Sequence, residues 1–190
     1  NMSDTLYEKS NTGDDTNASI GNPNTAWEGQ TFTPSIQHTI TSAKLYLHRD
    51  DGVLPGLVTV SIRATAVDLP TGADLCSGTY DANTLTPFTP TWVEFTFGAG
   101  TMLSASTKYA IIIRVTHATD QVKSRATLPG TYSGGNSVYS SDSGGTWVTY
   151  GNGFDYQFEE YGVPSSLSLA FGRLLLDGTD IAYGDSTSIR

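Results

Sequence analysis

The sequence has little positive charge and no long apolar run, and each shortage excludes a class of protein. Ten Lys and Arg residues stand against nineteen Asp and Glu residues, which gives a formal net charge of -9. Such a surface repels phosphate backbones and anionic lipids, so we do not expect nucleic acid as a partner. No stretch approaches the ~20 apolar residues that a membrane-spanning helix needs, so we expect no membrane span.

Cysteine is almost absent as well. The single residue, Cys76, cannot form a disulfide within the chain, so stability must come from packing. Cys76 lies in an alternating run typical of a strand, and we interpret it as a small buried residue rather than a reactive thiol. Charged residues make up only 15% of the chain, whereas Ser, Thr, Asn and Gly are abundant. This polar, weakly charged composition favours an extracellular or virion-surface location.

Short stretches of alternating apolar and polar residues are frequent. They are rich in β-branched and aromatic residues, and turn residues separate them without an intervening helical period. This pattern predicts an all-β, two-sheet antiparallel sandwich of jelly-roll type with about ten strands. We place the strands at residues 27–32, 40–49, 56–65, 75–81, 91–97, 108–116, 121–127, 137–141, 146–150 and 155–161. The run Ile111-Ile112-Ile113 lacks polar alternation and predicts a central strand covered on both faces.

Both chain ends differ from this body, which we expect over residues 27–163. Residues 1–26 have too little apolar periodicity to bury a face, so we interpret them as an arm or a loosely packed edge. Residues 164–190 begin with an apolar stretch and contain a turn-forming Asp-Gly pair, which indicates a hairpin or an assembly strand separate from the sandwich. The candidate assembly residues are Leu167, Leu169, Phe171, Leu174, Leu175 and Leu176.

The most specific local pattern is SSDSGGTW at residues 140–147, which matches the hairpin signature S-x-D-x-G-x-T-W called the Asp box. Its pattern positions are Ser140, Asp142, Gly144, Thr146 and Trp147. The aspartate can accept backbone N–H bonds across the turn, glycine permits positive φ, and the tryptophan packs beneath. The pattern resembles the Asp boxes of sialidase-like propellers, where several copies accompany several blades. A single copy predicts a structural hairpin rather than a catalytic element.

Aromatic residues are concentrated near the end of the predicted sandwich. Sugar rings stack on aromatic side chains, so a Tyr or Phe in a loop beside glycine is a candidate for glycan binding. Tyr132, Tyr150 and Phe154 meet this description. Core packing explains aromatic residues at alternate strand positions without any ligand.

Acidic residues form short clusters in predicted turns. Asp50 and Asp51 are candidate ligands for Ca²⁺, which prefers oxygen donors. No EF-hand loop or other dense ligand spacing accompanies them, so solvated turn carboxylates are the alternative interpretation. No cofactor is required by the sequence.

Nothing in the sequence indicates an enzyme active site. The three histidines, His38, His48 and His117, show no metal-ligand or nucleophilic-relay spacing. Glu94 and Glu159 lie on predicted strands, where two carboxylates facing a cleft would suit a glycoside hydrolase. Exposed strand carboxylates are far commoner, and we expect a protein without catalytic activity.

The order of segments WEGQTFTP, ITSAKLYLHR, LVTVSIRAT, LPTGADLCSGTYD, WVEFTF, KYAIIIR, GGNSVYSSDSGGTW and FEEYG resembles a recurrent jelly-roll module. That module occurs in bacterial secreted proteins and in tailed-phage or prophage structural proteins, and its fold is similar to carbohydrate-binding modules. The resemblance spans residues 27–162, which are 136 of the 190 residues. It implies a sandwich fold and transfers no catalytic residue.

Two functional hypotheses follow. The first is a structural or surface-display protein, such as a virion decoration or fibre component or a filament subunit, that forms homo-oligomers or binds other structural proteins through its terminal arms. The second is a carbohydrate-binding module or glycan-binding adhesin domain. Solution mass distinguishes the first, and binding to a broad set of glycans distinguishes the second.

Overall fold

The computed structural model describes residues 4–21, 23–117, 120–151 and 153–165, together with two short strands nearer the C-terminus. Thirteen strands form two antiparallel sheets packed against each other, so the predicted two-sheet sandwich is confirmed. The strands beyond the predicted ten come from residues 1–26, which contribute two, and from the last predicted strand, which is split in two. Over the described ranges the only helical element is a 3-10 turn at Ala82–Thr84, and none of these residues forms a helix able to cross a membrane.

The first sheet, sheet A, is centred on a long strand, β4. Its members are β1 (Thr5–Ser10), β2 (Thr16–Ile20), β4 (His38–His48), β7 (Thr91–Leu103), β9 (Val122–Thr127), β12 (Asp155–Tyr156) and β13 (Phe158–Pro164). β4 pairs with β7 on one side and with β13 on the other, and β1 lies at the edge beyond β13. The last residues of β4 pair with β9, which also carries β2 and β12.

The second sheet, sheet B, has the order β11-β10-β3-β8-β5-β6. Its members are β3 (Trp27–Phe32), β5 (Leu57–Ala66), β6 (Leu69–Asp81), β8 (Tyr109–Val115), β10 (Ser137–Ser140) and β11 (Val148–Thr149). Strand β8 therefore lies inside the sheet, between β3 and β5.

The main hydrophobic core lies between the two sheets. Its largest fully buried side chains include Tyr156, Phe32, Phe95 and Phe158. Ile111 and Ile113 belong to this core, whereas Ile112 belongs to a second cluster with Val138 and Trp147. All three isoleucines are fully buried, so the predicted central strand covered on both faces is confirmed.

Residues of the predicted N-terminal arm form edge strands of sheet A. β1 pairs with β13 and β2 pairs with β9. The loop between β1 and β2 is fixed by Arg125, whose guanidinium binds the carboxylate and the carbonyl of Asp14 and the side-chain oxygen of Asn17. Ile20, at the end of β2, is fully buried in the core. The sequence does not predict these strands, because an edge strand buries only a few side chains and its composition can stay polar.

The C-terminal segment contains a separate two-stranded sheet. β14 (Leu174–Leu176) and β15 (Thr179–Ile181) pair antiparallel, with Leu174 opposite Ile181 and Leu176 opposite Thr179. The other candidate assembly residues, Leu167, Leu169 and Phe171, lie outside the described residues.

Cys76 lies on β6 at the edge of sheet B and is partly buried against the main core. Burial, followed by the nearby charge of Asp74, raises the pKa of its thiol to about 12. The thiolate is therefore strongly disfavoured at neutral pH.

Candidate functional site

The SSDSGGTW turn connects β10 to β11 and is closed by its own side chains. Asp142 Oδ1 accepts a hydrogen bond from the Ser140 hydroxyl at 2.7 Å and another from the Thr146 backbone N–H at 2.7 Å. These two bonds are the main reason that the pKa of Asp142 is lowered to about 2. Ser140 Oγ in turn accepts the backbone N–H of Gly144 at 2.8 Å. The carboxylate thus serves as an acceptor within the turn, which leaves it poorly placed for proton transfer.

Trp27 holds this turn against the outer face of sheet B. Gly144 has a φ of +84°, and a Cβ at this position would lie 2.8 Å from the Trp27 ring, so the turn requires glycine here. The guanidinium groups of Arg63 and Arg114 lie 5.3 and 4.9 Å from the centre of the same ring. Both arginines pair with Asp74, at 2.7 and 2.5 Å. Burial alone would raise the pKa of Asp74, but hydrogen bonds from the two arginines lower it below its ordinary value.

Trp147 covers the same face from the other end of the turn. It is 8% exposed and packs with Ile112 and Val138 on the side of sheet B that faces away from the main core. The second face of the central strand β8 is therefore shielded by a residue of the turn. The contacts of the turn are those of a structural element.

A second cluster surrounds the carboxylate of Glu28 on β3. Glu28 is 7% exposed, and its two oxygens accept hydrogen bonds from Tyr150 at 3.1 Å and from Tyr156 at 3.0 Å. Burial raises the pKa of Glu28 to about 7, although the two phenol hydrogen bonds oppose the rise. Its hydrogen-bond partners are neutral phenols, so ionisation places a negative charge in the sandwich without a cationic partner in contact.

Two of the three candidate glycan-binding residues lie together beside Glu28. The rings of Tyr150 and Phe154 are 5.0 Å apart, and Tyr139 lies 4.5 Å from Tyr150. Tyr150 is 40% exposed and forms the open side of this group. Tyr132 is placed differently: its ring packs edge-on against Phe158, and its hydroxyl lies 3.3 Å from Glu8. The predicted trio therefore does not form one aromatic surface.

His38 forms a buried pair with Glu160. His38 Nε2 lies 2.5 Å from Glu160 Oε1, and both side chains are fully buried. His38 Nδ1 lies 2.8 Å from the carbonyl oxygen of Ile36, and Tyr7 of the edge strand β1 stacks on the imidazole at 3.7 Å. Burial lowers the pKa of His38, but the hydrogen bonds and the negative charge of Glu160 outweigh it, so the net shift is upward. With β1 in place, both side chains of this pair are shielded from solvent.

The other two histidines lie apart from this pair and have different partners. His48 contacts Asn17 Oδ1 at 3.1 Å, and His117 lies 3.8 Å from Asp120. Nowhere in the described part of the chain do three His, Cys, Asp or Glu side chains form a group suited to a metal ion.

The two candidate calcium ligands have local partners. Asp50 Oδ2 lies 3.6 Å from Lys123 Nζ, and Asp51 Oδ1 accepts the N–H of the next residue, Gly52, at 3.0 Å. In this turn, one carboxylate forms an ion pair and the other accepts a hydrogen bond from the backbone of the turn. Calcium binding by Asp50 and Asp51 stays a prediction.

Glu94 and Glu159 lie on a sheet face rather than opposite each other across a cleft. Both are aligned with Lys44 of β4, Glu159 from β13 and Glu94 from β7. Glu94 accepts a hydrogen bond from Ser42 at 2.9 Å, and Glu159 accepts one from Asn11 at 2.8 Å. The row of opposite charges stabilises the pairing of the strands.

A small pocket lies where the end of β1 meets the loop between β9 and β10. Its volume is about 220 Å³, and its walls are residues 9–12 and residues 131–133. Apart from Tyr132, sequence reasoning does not identify these residues, because residues 9–12 belong to the segment interpreted as an arm.

Sequence reasoning also misses Glu28 and the pair of His38 with Glu160. A signal for the two carboxylates is present in the alternation itself. Glu28 has the same parity as Phe32 on β3, and Glu160 has the same parity as Phe158 on β13, so both face inward with the aromatic residues. A carboxylate in phase with core residues indicates a buried polar group.

No family model matches this chain, and no curated protein matches it at a significant level. Functional inference therefore rests on the residues and their geometry.

Proposed function

We propose that this chain is a non-enzymatic structural or surface-display protein that assembles through its C-terminal segment. A virion decoration or fibre component, or an extracellular filament subunit, fits this description. The observation that carries the proposal is the apolar C-terminal segment, part of which forms a hairpin outside both sheets of the sandwich. A lone two-stranded hairpin is marginally stable in water, so it needs cover from its own body or from a neighbouring subunit.

The N-terminal strands support assignment of the assembly role to the C-terminal segment. β1 and β2 are paired within their own sheet, and Arg125 fixes the loop between them. Tyr7 of β1 also covers the buried imidazole of His38. Removing these strands to pair with another subunit would break all of these contacts. These contacts favour the C-terminal segment over the N-terminal strands as the assembly element.

The experiment is a comparison of solution masses by light scattering. The intact chain is compared with a chain ending at Ser165, which keeps every strand of both sheets. We expect an oligomer for the intact chain and a monomer for the shorter one. A full-length double variant, Leu174→Ser with Leu176→Ser, removes two apolar side chains of the hairpin without adding charge and should also be monomeric, and Asp180→Asn in the same hairpin is the control. Monomeric mass for the intact chain at high concentration contradicts the proposal.

Glycan binding is the second candidate function, and the contact between Tyr150 and Phe154 favours it. Tyr150 exposes part of its ring beside polar loop residues, an arrangement that suits stacking of a sugar ring. The test is binding to a broad set of glycans by the intact protein and by Tyr150→Ala. Tyr46→Ala, which removes a ring stacked on Trp92 in sheet A, is the matched control. Retention of full binding by Tyr150→Ala argues against this surface.

A further inference from the structure

We infer that the pocket between the end of β1 and the β9–β10 loop binds one neutral sugar residue, a site separate from the Tyr150 and Phe154 surface. This inference rests on the second candidate function, glycan binding, and assigns to it a different position. Sites for drug-sized ligands typically have volumes of about 300–1,000 Å³, and this pocket is smaller. Its volume of about 220 Å³ therefore suits a single ring or the end of a longer chain.

The first wall of the pocket is rigid. Residues 9 and 10 belong to β1, where Lys9 pairs with Glu159 and Ser10 with Phe158 of β13. Beyond the strand, the Asn11 amide donates to Glu159 at 2.8 Å, and the carbonyl of Thr12 accepts the Thr127 hydroxyl.

The second wall is fixed by contacts to both sheets. The backbone N–H of Tyr132 donates to buried Asp155 at 2.7 Å, and the Thr33 hydroxyl donates to the carbonyl of Gly134 at 2.8 Å. Gly135 lies so close to the Thr31 carbonyl that no side chain fits there. Because both walls are held before any ligand arrives, binding costs little ordering of the protein.

The polar side chains of the pocket are largely unused by the protein itself. Within the described residues, Lys9 Nζ and the hydroxyls of Ser10, Thr12, Thr131 and Ser133 have no hydrogen-bond or ion-pair partner. Hydroxyl groups both donate and accept, as the hydroxyls of a sugar do. A small rigid pocket with four such hydroxyls and one ammonium group is suited to a ligand that is itself rich in hydroxyls.

The surrounding charges favour a neutral ligand over an anion. Lys9 is the one cationic residue among those that line the pocket, and it lies opposite Glu159 in the pairing of β1 with β13. Glu8 accepts the hydroxyl of Tyr132, which lines the pocket. These nearby carboxylates oppose the attraction of Lys9 for an anion. Phosphate or a sugar acid would therefore gain little binding free energy from the charge of Lys9. Tyr132, which is partly buried against the main core, adds an aromatic side chain to the lining of the pocket.

The test is saturation-transfer NMR on the intact protein with a panel of neutral mono- and disaccharides. Inorganic phosphate, which has no carbon-bound proton to observe, is the anionic probe and is followed by the width of its ³¹P signal. We expect transfer from at least one sugar and no protein-dependent broadening of the phosphate signal. Ser133→Ala and Lys9→Ala each remove one donor, and we expect binding to weaken roughly five- to ten-fold in each. Ser77→Ala and Lys108→Ala, both on sheet B or beside it, are the matched controls and should bind as the unaltered chain does.

Each other result overturns the assignment. If sugar binding persists in Ser133→Ala and Lys9→Ala but is lost in Tyr150→Ala, glycan binding stands and this pocket is not its site. If phosphate binds and the sugars do not, the ligand class is wrong. If nothing in the panel binds, both the pocket and the glycan-binding function fall, whereas assembly through the C-terminal segment is unaffected.

Discussion

The buried carboxylate of Glu28 should make the stability of this protein fall as the pH rises through neutrality. Its pKa is about 7 in the folded chain, against an ordinary value of 4.5, because burial disfavours the charged form. Between these two pH values the folded state binds more protons than the unfolded state, so the free energy of unfolding decreases with increasing pH. The stabilisation is complete below pH 4.5 and is lost above about pH 7.

The magnitude follows from the same two values. Each pH unit between 4.5 and about 7 corresponds to about 1.4 kcal/mol, which gives about 3 kcal/mol in all. Glu28→Gln removes the titration and keeps a side chain of the same shape. Its amide oxygen accepts from one phenol, and its NH₂ group donates to the other, so both hydrogen bonds to Tyr150 and Tyr156 can be kept.

The assay is urea unfolding of the intact chain and of Glu28→Gln at pH 5 and pH 8. Between pH 5 and pH 8, the free energy of unfolding of the variant should rise by roughly 2–3 kcal/mol relative to that of the intact chain. The difference between the two proteins isolates Glu28, since every other titrating group is common to both. Glu94→Gln, which removes a carboxylate at an exposed position of sheet A, is the matched control for the loss of one negative charge. If the free energy of unfolding changes equally with pH in Glu28→Gln and in the intact chain, the assignment of a raised pKa to this buried carboxylate is refuted.

Three further predictions concern the contacts that hold the sandwich together. His38→Ala leaves Glu160 buried without its partner and should cost about 3–5 kcal/mol in urea unfolding near neutral pH; a loss below about 1 kcal/mol would show that water replaces the imidazole. Trp147→Ala uncovers Ile112 and should cost about 3–5 kcal/mol, measured as a lower unfolding midpoint, whereas Tyr139→Ala in the same hairpin should cost less. Asp142→Ala should increase proteolytic nicking of the turn while the sheets stay folded, and unchanged nicking would mean that the backbone alone fixes this turn.

The sequence identifies the sandwich because strands such as β4 and β7 alternate between apolar and polar residues in phase with their burial. The Ile111–Ile113 run predicts an inner strand correctly, since a strand covered on both faces has no position left for polar side chains. The edge strands β1 and β2 are harder to recognise. Their hydrogen bonds are made by the backbone, and among their residues only Ser10 and Ile20 are buried, so composition carries almost no signal.

Long-range pairing explains why the candidate sites were only partly predictable. Tyr150 and Phe154 are near neighbours in the chain, and their rings are in contact. The path of the β9–β10 loop instead places Tyr132 against Phe158. Residues 9–12 meet residues 131–133 only because β1 returns to pair with β13 beside that loop. No local sequence pattern predicts this contact between the two segments, because it depends on the register of strands more than a hundred residues apart.

Assembly through a single C-terminal segment has a consequence for the kind of oligomer. If the segment of one copy docks on the body of the next, the two contacting surfaces differ, and the interface is heterologous. Such contacts form a closed ring when the rotation between subunits returns to the start, and an open filament when it does not. Light scattering across a concentration series separates the two: a ring should reach a constant mass, whereas a filament should keep growing. A constant mass of two subunits would instead indicate a two-fold pair, in which each segment docks on the other body or β14 or β15 lies against its own copy.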